Sequence, residues 1–181
     1  RYINPAKKFL QSRCELIESL KERVKNHGIK CDSILSIGSR DENELVTISS
    51  FFPQSQVSGL DLFSASPKIK VGDMHDMPFD DNSFDITISI HNMEHSYDPQ
   101  KSLGEMFRVT KEGGLLSIEV PVCFKTTETD RIDFKNLLNL TSFFEKDSIE
   151  VLWSDMESRA DISRATALRV IIQKIKIKTK E

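Results

Sequence analysis

Residues 72–121 read GDMHDMPFDDNSFDITISIHNMEHSYDPQKSLGEMFRVTKEGGLLSIEVP, and this stretch decides the fold. Phe84 to Ile90 (FDITISI) is a β-branched run of the type found in strands buried on both faces. Asp98 and Pro99 then open a helix, a capping carboxylate followed by a proline in the first turn, and Gly113-Gly114 stops it. Leu115 to Val120 is a second apolar strand. A strand, a helix and a strand in that order form a crossover unit of a parallel sheet.

The same alternation extends in both directions. Upstream, Asn4 caps a first helix, Pro5 suits its first turn and Gly28 closes it; Phe9, Leu10, Leu16, Ile17, Leu20 and Val24 give it one apolar stripe. Ser33 to Gly38 reads as a strand. Asp41 to Phe52 reads as a helix, with Asp41 and Glu44 as a capping-box variant and Pro53 ending it. Gln56 to Leu62 and Lys68 to Gly72 are further strands. Downstream, Phe134 to Phe144 is expected to be helical, and Ile149 to Trp153 and Ala167 to Lys176 to be strands. The whole predicts an α/β protein with a doubly wound, Rossmann-like sheet covered on both faces.

Composition narrows the function. The 181 residues, 38% hydrophobic and 29% charged, suit one globular domain. A net charge of −3 gives no basic field for nucleic acid or an anionic membrane, so neither is expected as a partner. Lys174, Lys176, Lys178 and Lys180 alternate with Ile175 and Ile177, as in a strand with one wet face. Cys14, Cys31 and Cys123 show no metal-ligand spacing, which points to reduced thiols and a cytoplasmic protein. No apolar run is long enough to cross a bilayer and no signal peptide is visible; Arg1 in place of a methionine fits a domain of a longer chain.

In open α/β sheets ligands sit beyond the carboxyl ends of the strands, near the switch in strand order. That rule selects Gly38-Ser39-Arg40, Asp61, Gly72-Asp73-Met74 and the loop after Ile90. Gly38 lets a ligand approach the backbone closely. Asp61, 23 residues later, can accept hydrogen bonds from ribose hydroxyls, and Asp73 from the exocyclic amine of a purine. The start of the Asp41 helix suits a ligand carboxylate. Singly, a glycine after a strand is a turn residue and an aspartate a cap; together at successive strand ends they support one another. His91 and His95 lie beside the presumed pocket and are candidate general bases, with a packing role as the alternative; His75 is expected to pack. The three are not spaced as metal ligands with a carboxylate, so no metal is expected. Trp153, Phe143 and Phe144 are expected in the core.

These residues resemble the class I S-adenosylmethionine-dependent methyltransferases of the "Methyltransferase type 11" kind. The pattern is carried by Met77-Pro78-Phe79, Asn82-Ser83-Phe84-Asp85, Met93-Glu94-His95, Asp98-Pro99, Glu105, Arg108-Val109 and Lys111-Glu112-Gly113-Gly114. The resemblance implies a seven-stranded sheet, mostly parallel with an antiparallel last strand. It covers Ile34 to Pro121, about half of the chain, while the N-terminal helix and the last third fit the topology only; the chain is expected to be one domain with an N-terminal helix (1–28), a cofactor-binding half (33–121) and a substrate-side half (122–181). It implies S-adenosylmethionine as cofactor, with Asp61 and Leu62 at the ribose, Gly72, Asp73 and Met74 at the adenine, and Ser89 to His91 bordering the methionine part.

The first loop departs from the family's D/E-x-G-x-G-x-G. It reads Ser36-Ile37-Gly38-Ser39-Arg40-Asp41-Glu42, with one glycine and a serine at the acidic position. Ser39 and Arg40 are expected to crowd the cofactor's methionine end, although Arg40 can also pair with its carboxylate. The expected function is methyl transfer to a small-molecule acceptor that the sequence does not name. The alternative is a non-catalytic methyltransferase-like interaction or regulatory domain that has lost its cofactor. A nicotinamide dehydrogenase is disfavoured, since no G-x-G-x-x-G follows the first strand.

Overall fold

A computed structural model describes residues 5–64, 66–157 and 166–176, and the side chains from residue 14 onward. Asn4, Lys178 and Lys180, and the side chains of Phe9 and Leu10, lie outside the described residues. Seven strands form one sheet: β1 (Ser33–Ile37), β2 (Gln56–Asp61), β3 (Ile69–Val71), β4 (Phe84–Ile90), β5 (Thr110–Val122), β6 (Ile149–Glu157) and β7 (Thr166–Lys174). Their order is β3-β2-β1-β4-β5-β7-β6. β1 to β5 run parallel, and β7 is antiparallel to both β5 and β6.

Two apolar layers cover the sheet. On one face Leu16, Ile17 and Leu20 of α1 (Pro5–His27) and Ile48 of α2 (Glu42–Phe51) bury Ile34, Ile86, Ile88, Leu115 and Ile171. On the other, Leu103, Met106 and Val109 of α3 (Pro99–Val109) lie over Leu35, Ile37, Leu116, Ile118, Val170 and Ile172. The alternating residues of β1, β4 and β5 feed opposite layers, so their central positions are mostly apolar or small, with Glu119 of β5 a buried exception.

Several boundaries differ from the sequence reading. α3 ends at Val109 rather than at Gly113, because the Thr110 hydroxyl donates to Met106 O (2.7 Å) as the chain turns directly into β5. The glycine pair instead serves a strand irregularity: Gly113 has φ +77°, and a Cβ on Gly114 would lie 2.6 Å from Asp85 O. Within Phe134 to Phe144 only α4 (Leu137–Thr141) is α-helical, capped by the Asn136 side chain, while β6 runs on past Trp153 to Glu157. Asp41 caps α2 by accepting from Asn43 N (2.9 Å), but Glu44 does not complete a capping box; its carboxylate turns to Ser36 and Ser39.

Asp85 locks the amino ends of the central strands. Its Oδ2 accepts from Asp32 N, Ser33 N and Ser33 Oγ, each at 2.9 Å, and its Oδ1 meets Lys111 Nζ at 2.8 Å. Burial works against the charge, yet the Lys111 ammonium and these donors hold the carboxyl below its ordinary range. Asp85→Ala should cost about 1–3 kcal/mol, because it strands buried donors. The check is urea denaturation, with the midpoint lowered and the slope unchanged; a loss under about 0.5 kcal/mol would mean the lock is dispensable.

Candidate functional site

Strand order reverses direction between β1 and β4, and there the sheet opens a cavity of about 650 Å³. Its wall is built from the ends of β1, β2, β3 and β4. At Gly38 the chain leaves β1 with φ +82°, and the Gly38 N–H donates to Leu60 O (2.7 Å). A Cβ at this position would lie 2.4 Å from Asn92 Cγ. The missing side chain therefore makes room for Asn92, whose Nδ2 donates to Met74 Sδ (3.3 Å). Three strand ends interlock through that one amide.

Gly72 is equally confined, since a Cβ there would stand 2.8 Å from Pro78 Cδ. The Met77-Pro78-Phe79 segment is fastened by α3. Glu105 accepts from Met77 N (2.7 Å), and Arg108 donates to Met77 O, Phe79 O and Glu105. Those two residues are scaffolding for the cavity floor.

Asp73 faces the cavity already engaged. It accepts from His75 N (2.9 Å), contacts His75 Nδ1 (2.6 Å), and is reached by Tyr97 OH (3.4 Å). Burial opposes ionisation, but these partners keep its carboxyl below the ordinary range. His75 is buried, bonded through Nε2 to Ser96 Oγ (2.8 Å) and stacked on Tyr97 at 3.6 Å. It packs, as its sequence context suggested, and orients Asp73. Asp61 ends β2 at the wall, and beyond it Leu62 and Phe63 are 71% and 66% exposed, leaving an apolar rim for a ligand.

Among the cavity-lining residues, His91 is held against two acids. The residue has φ +51°, and its ring lies between two carboxylates, with Nε2 2.9 Å from Glu119 and Nδ1 3.6 Å from Glu94. Burial alone would favour the neutral ring, but the two acids push its pKa up to about 9. Glu119 is itself paired with buried Arg169 (2.9 Å), and Arg169 also meets Glu15 of α1 (2.9 Å) and Asp155 of β6 (3.2 Å). A chain of charges thus runs from the cavity wall beneath the sheet to both neighbouring elements. His95 stands apart, with Nδ1 3.0 Å from Thr129 O and 3.1 Å from Asp130.

Comparison with known proteins bears on the fold. The family model described as "Methyltransferase domain" matches residues 42–118. Ajmaline N-methyltransferase of Rauvolfia serpentina is 46% identical over 48 residues, 26% of this chain and 16% of that protein. Malonyl-(acyl-carrier protein) O-methyltransferase 1 of Coxiella burnetii is 34% identical over 88 residues, 46% of this chain and 31% of that protein. A putative sarcosine dimethylglycine methyltransferase from Galdieria sulphuraria superposes with a TM-score of 0.71 at 14% identity, covering 92% of this chain and 86% of the other. A Burkholderia thailandensis 1,6-didemethyltoxoflavin-N1-methyltransferase, solved with S-adenosylhomocysteine, gives 0.68 at 11% identity, covering 97% and 92%. The fold is that of a class I methyltransferase. The chain spans between 16% and 53% of the length of the curated relatives it matches.

Within this methyltransferase fold, Gly38, Arg40, Asp61, Leu62, Gly72, Asp73, Met74, His91 and His95 all line the cavity. Ser39 and Ser89 do not. Ser39 is buried, and its hydroxyl lies within reach of Ser36 O (3.3 Å) and Glu44 (3.2 Å), with one hydrogen between them, so its side chain does not crowd the opening as expected; Ser89 is buried in β4. Arg40 is exposed at the wall and, among the described residues, forms no ion pair. The sequence reading passed over Asn92, Tyr97, Glu119 and Arg169. Asn92 carried a signal, since it follows the strand-end loop that faces Gly38, while Glu119 and Arg169 sit inside apolar runs. Among the described residues no cluster of His, Cys, Asp or Glu could hold a metal ion.

The imidazolium of His91 makes a pH prediction. Its pKa is raised from 6.5 to about 9, so the stability it contributes is full below about pH 6.5 and is lost as pH rises towards 9. Urea midpoints for His91→Gln should therefore fall less steeply than wild type across that window. Parallel curves would mean that the ring is neutral in the folded protein.

Proposed function

We propose that the protein transfers a methyl group from S-adenosylmethionine to a small-molecule acceptor. The observation that carries this reading is the set of groups around one cavity at the strand switch: a carboxylate at the end of β2, a second after β3, the exposed cation Arg40 after β1 and an apolar rim. A volume of about 650 Å³ suits a cofactor of that size with room for a small acceptor. Asp61 would accept from the ribose hydroxyls, Asp73 and Met74 would border the adenine, and Arg40 would pair with the carboxylate of the methionine end. When bound, the cofactor supplies an electrophilic methyl carbon, and the protein's task is to align a nucleophile with it.

His91, held as an imidazolium, has no lone pair with which to take a proton at neutral pH. It stabilises negative charge on the acceptor instead. His95, half exposed at the wall, is then the candidate base. Residues 33–121 would hold the cofactor and 122–181 the acceptor. Free thiols at Cys14, Cys31 and Cys123 favour a cytoplasmic setting, and no described helix is long and apolar enough to cross a membrane.

The single glycine of the first loop favours a second reading, a domain that keeps the fold without the cofactor. Titration calorimetry separates the two. Asp61→Ala should weaken S-adenosylhomocysteine binding about ten-fold or more, the loss of roughly 1.4 kcal/mol. Arg40→Ala should weaken it comparably while leaving adenosine, which has no carboxylate, nearly unchanged. A wild-type protein that binds nothing until Arg40→Gly opens the loop would support the second reading and overturn the first.

A further inference from the structure

We propose that Glu44, on the first turn of α2, is the anionic partner of the α-ammonium group at the cofactor's methionine end. This rests on the reading above that S-adenosylmethionine occupies the cavity. The methionine end is a zwitterion, so the pocket around it needs one cation and one anion. Arg40 provides the cation. The strand position where the resemblance calls for an acidic residue is Ser36, a neutral hydroxyl.

The structure returns a carboxylate to that place from the neighbouring helix. Glu44 Oε1 accepts from Ser36 Oγ (2.5 Å), and Ser39 Oγ lies 3.2 Å from it, its one hydrogen shared between this carboxylate and Ser36 O. The two serines are 0% and 1% exposed, so the hydroxyls form a fixed, buried seat rather than a surface contact. An ionised carboxylate is acceptor-only, which matches hydroxyl donors and an ammonium alike. Glu44 lines the cavity together with Gly38 and Arg40.

Its acidic neighbours differ from it. Asp41 also lines the cavity, but its Oδ1 caps α2 through Asn43 N (2.9 Å) and neither serine reaches it. Glu42 accepts from Ser66 Oγ (2.5 Å), pairs with Lys68 (3.2 Å) and does not line the cavity. Ser39, which looks like an obstruction in the sequence, becomes part of the seat. The loop that lost its glycines keeps an opposed pair of charges, Arg40 and Glu44, four residues apart.

Titration calorimetry with three probes tests this: S-adenosylhomocysteine, its analogue with hydrogen in place of the amino group, and 5′-methylthioadenosine. Glu44→Gln should weaken S-adenosylhomocysteine about ten-fold or more and leave the other two unchanged. In the wild type alone, removing the amino group from the ligand should produce a loss of the same size, which needs no variant to fold. Equal losses for all three probes in Glu44→Gln, or equal wild-type affinity for the amino and deamino ligands, would overturn the proposal. Methylthioadenosine binding in either of those cases would leave the cofactor reading standing. A wild type that binds none of the three would overturn both.

Discussion

The cavity depends on one close contact, the Asn92 side chain seated where Gly38 has none. The turn at Gly38 (φ +82°) swings the loop after β1 away from the sheet, and Asn92 fills the space and reaches across to Met74 Sδ. The ends of β1, β3 and β4 are thereby held at fixed spacing. Asp73, two residues past β3, takes its place from that spacing, and Asp61 ends the adjacent β2. A side chain at position 38 would force the Asn92 loop outward and take His91 and the turn Met93–His95 with it. Only glycine accommodates both the positive φ and the contact.

Charge is distributed around this frame with a clear division. Carboxylates face the opening from β2 and from the segments after β1 and β3, while the cations behind the sheet are neutralised in place. Arg169 is 2% exposed and answers three acids from three elements. Its isolation would be costly, and the pairing makes the buried charges tolerable. The network meets the cavity at Glu119, which with Glu94 raises the His91 pKa against the effect of burial. The proposed methyl transfer asks for alignment more than for acid–base work.

Much of the fold was legible because the signals were local. FDITISI could only be a buried strand, and Asp98-Pro99 could only open a helix. Where the reading erred, tertiary contacts decided. Gly113-Gly114 looked like a helix stop, but it relieves the approach of β5 to Asp85 O, a residue far away in sequence. Asp41 and Glu44 had capping-box spacing, yet the pull of two buried serines on Glu44 won over the reciprocal cap. Asp61, Asp73 and Arg40, which line the cavity, were selected by a rule about strand ends, which needs only the strand boundaries. The same rule pointed to the loop after Ile90 that holds Asn92, but Glu119 and Arg169 were missed, since their partners lie on other elements and no spacing within the chain announces them.

The most direct measurement is an amide-resolved nuclear magnetic resonance titration of the isotope-labelled protein with S-adenosylhomocysteine. The account predicts saturable shifts concentrated at Gly38, Arg40, Leu62, Gly72, Asp73 and His91, with the amino ends of the strands around Asp32 and Ser33 silent. An unperturbed spectrum, or shifts gathered at the opposite edge of the sheet, would contradict the assignment of this cavity to the cofactor.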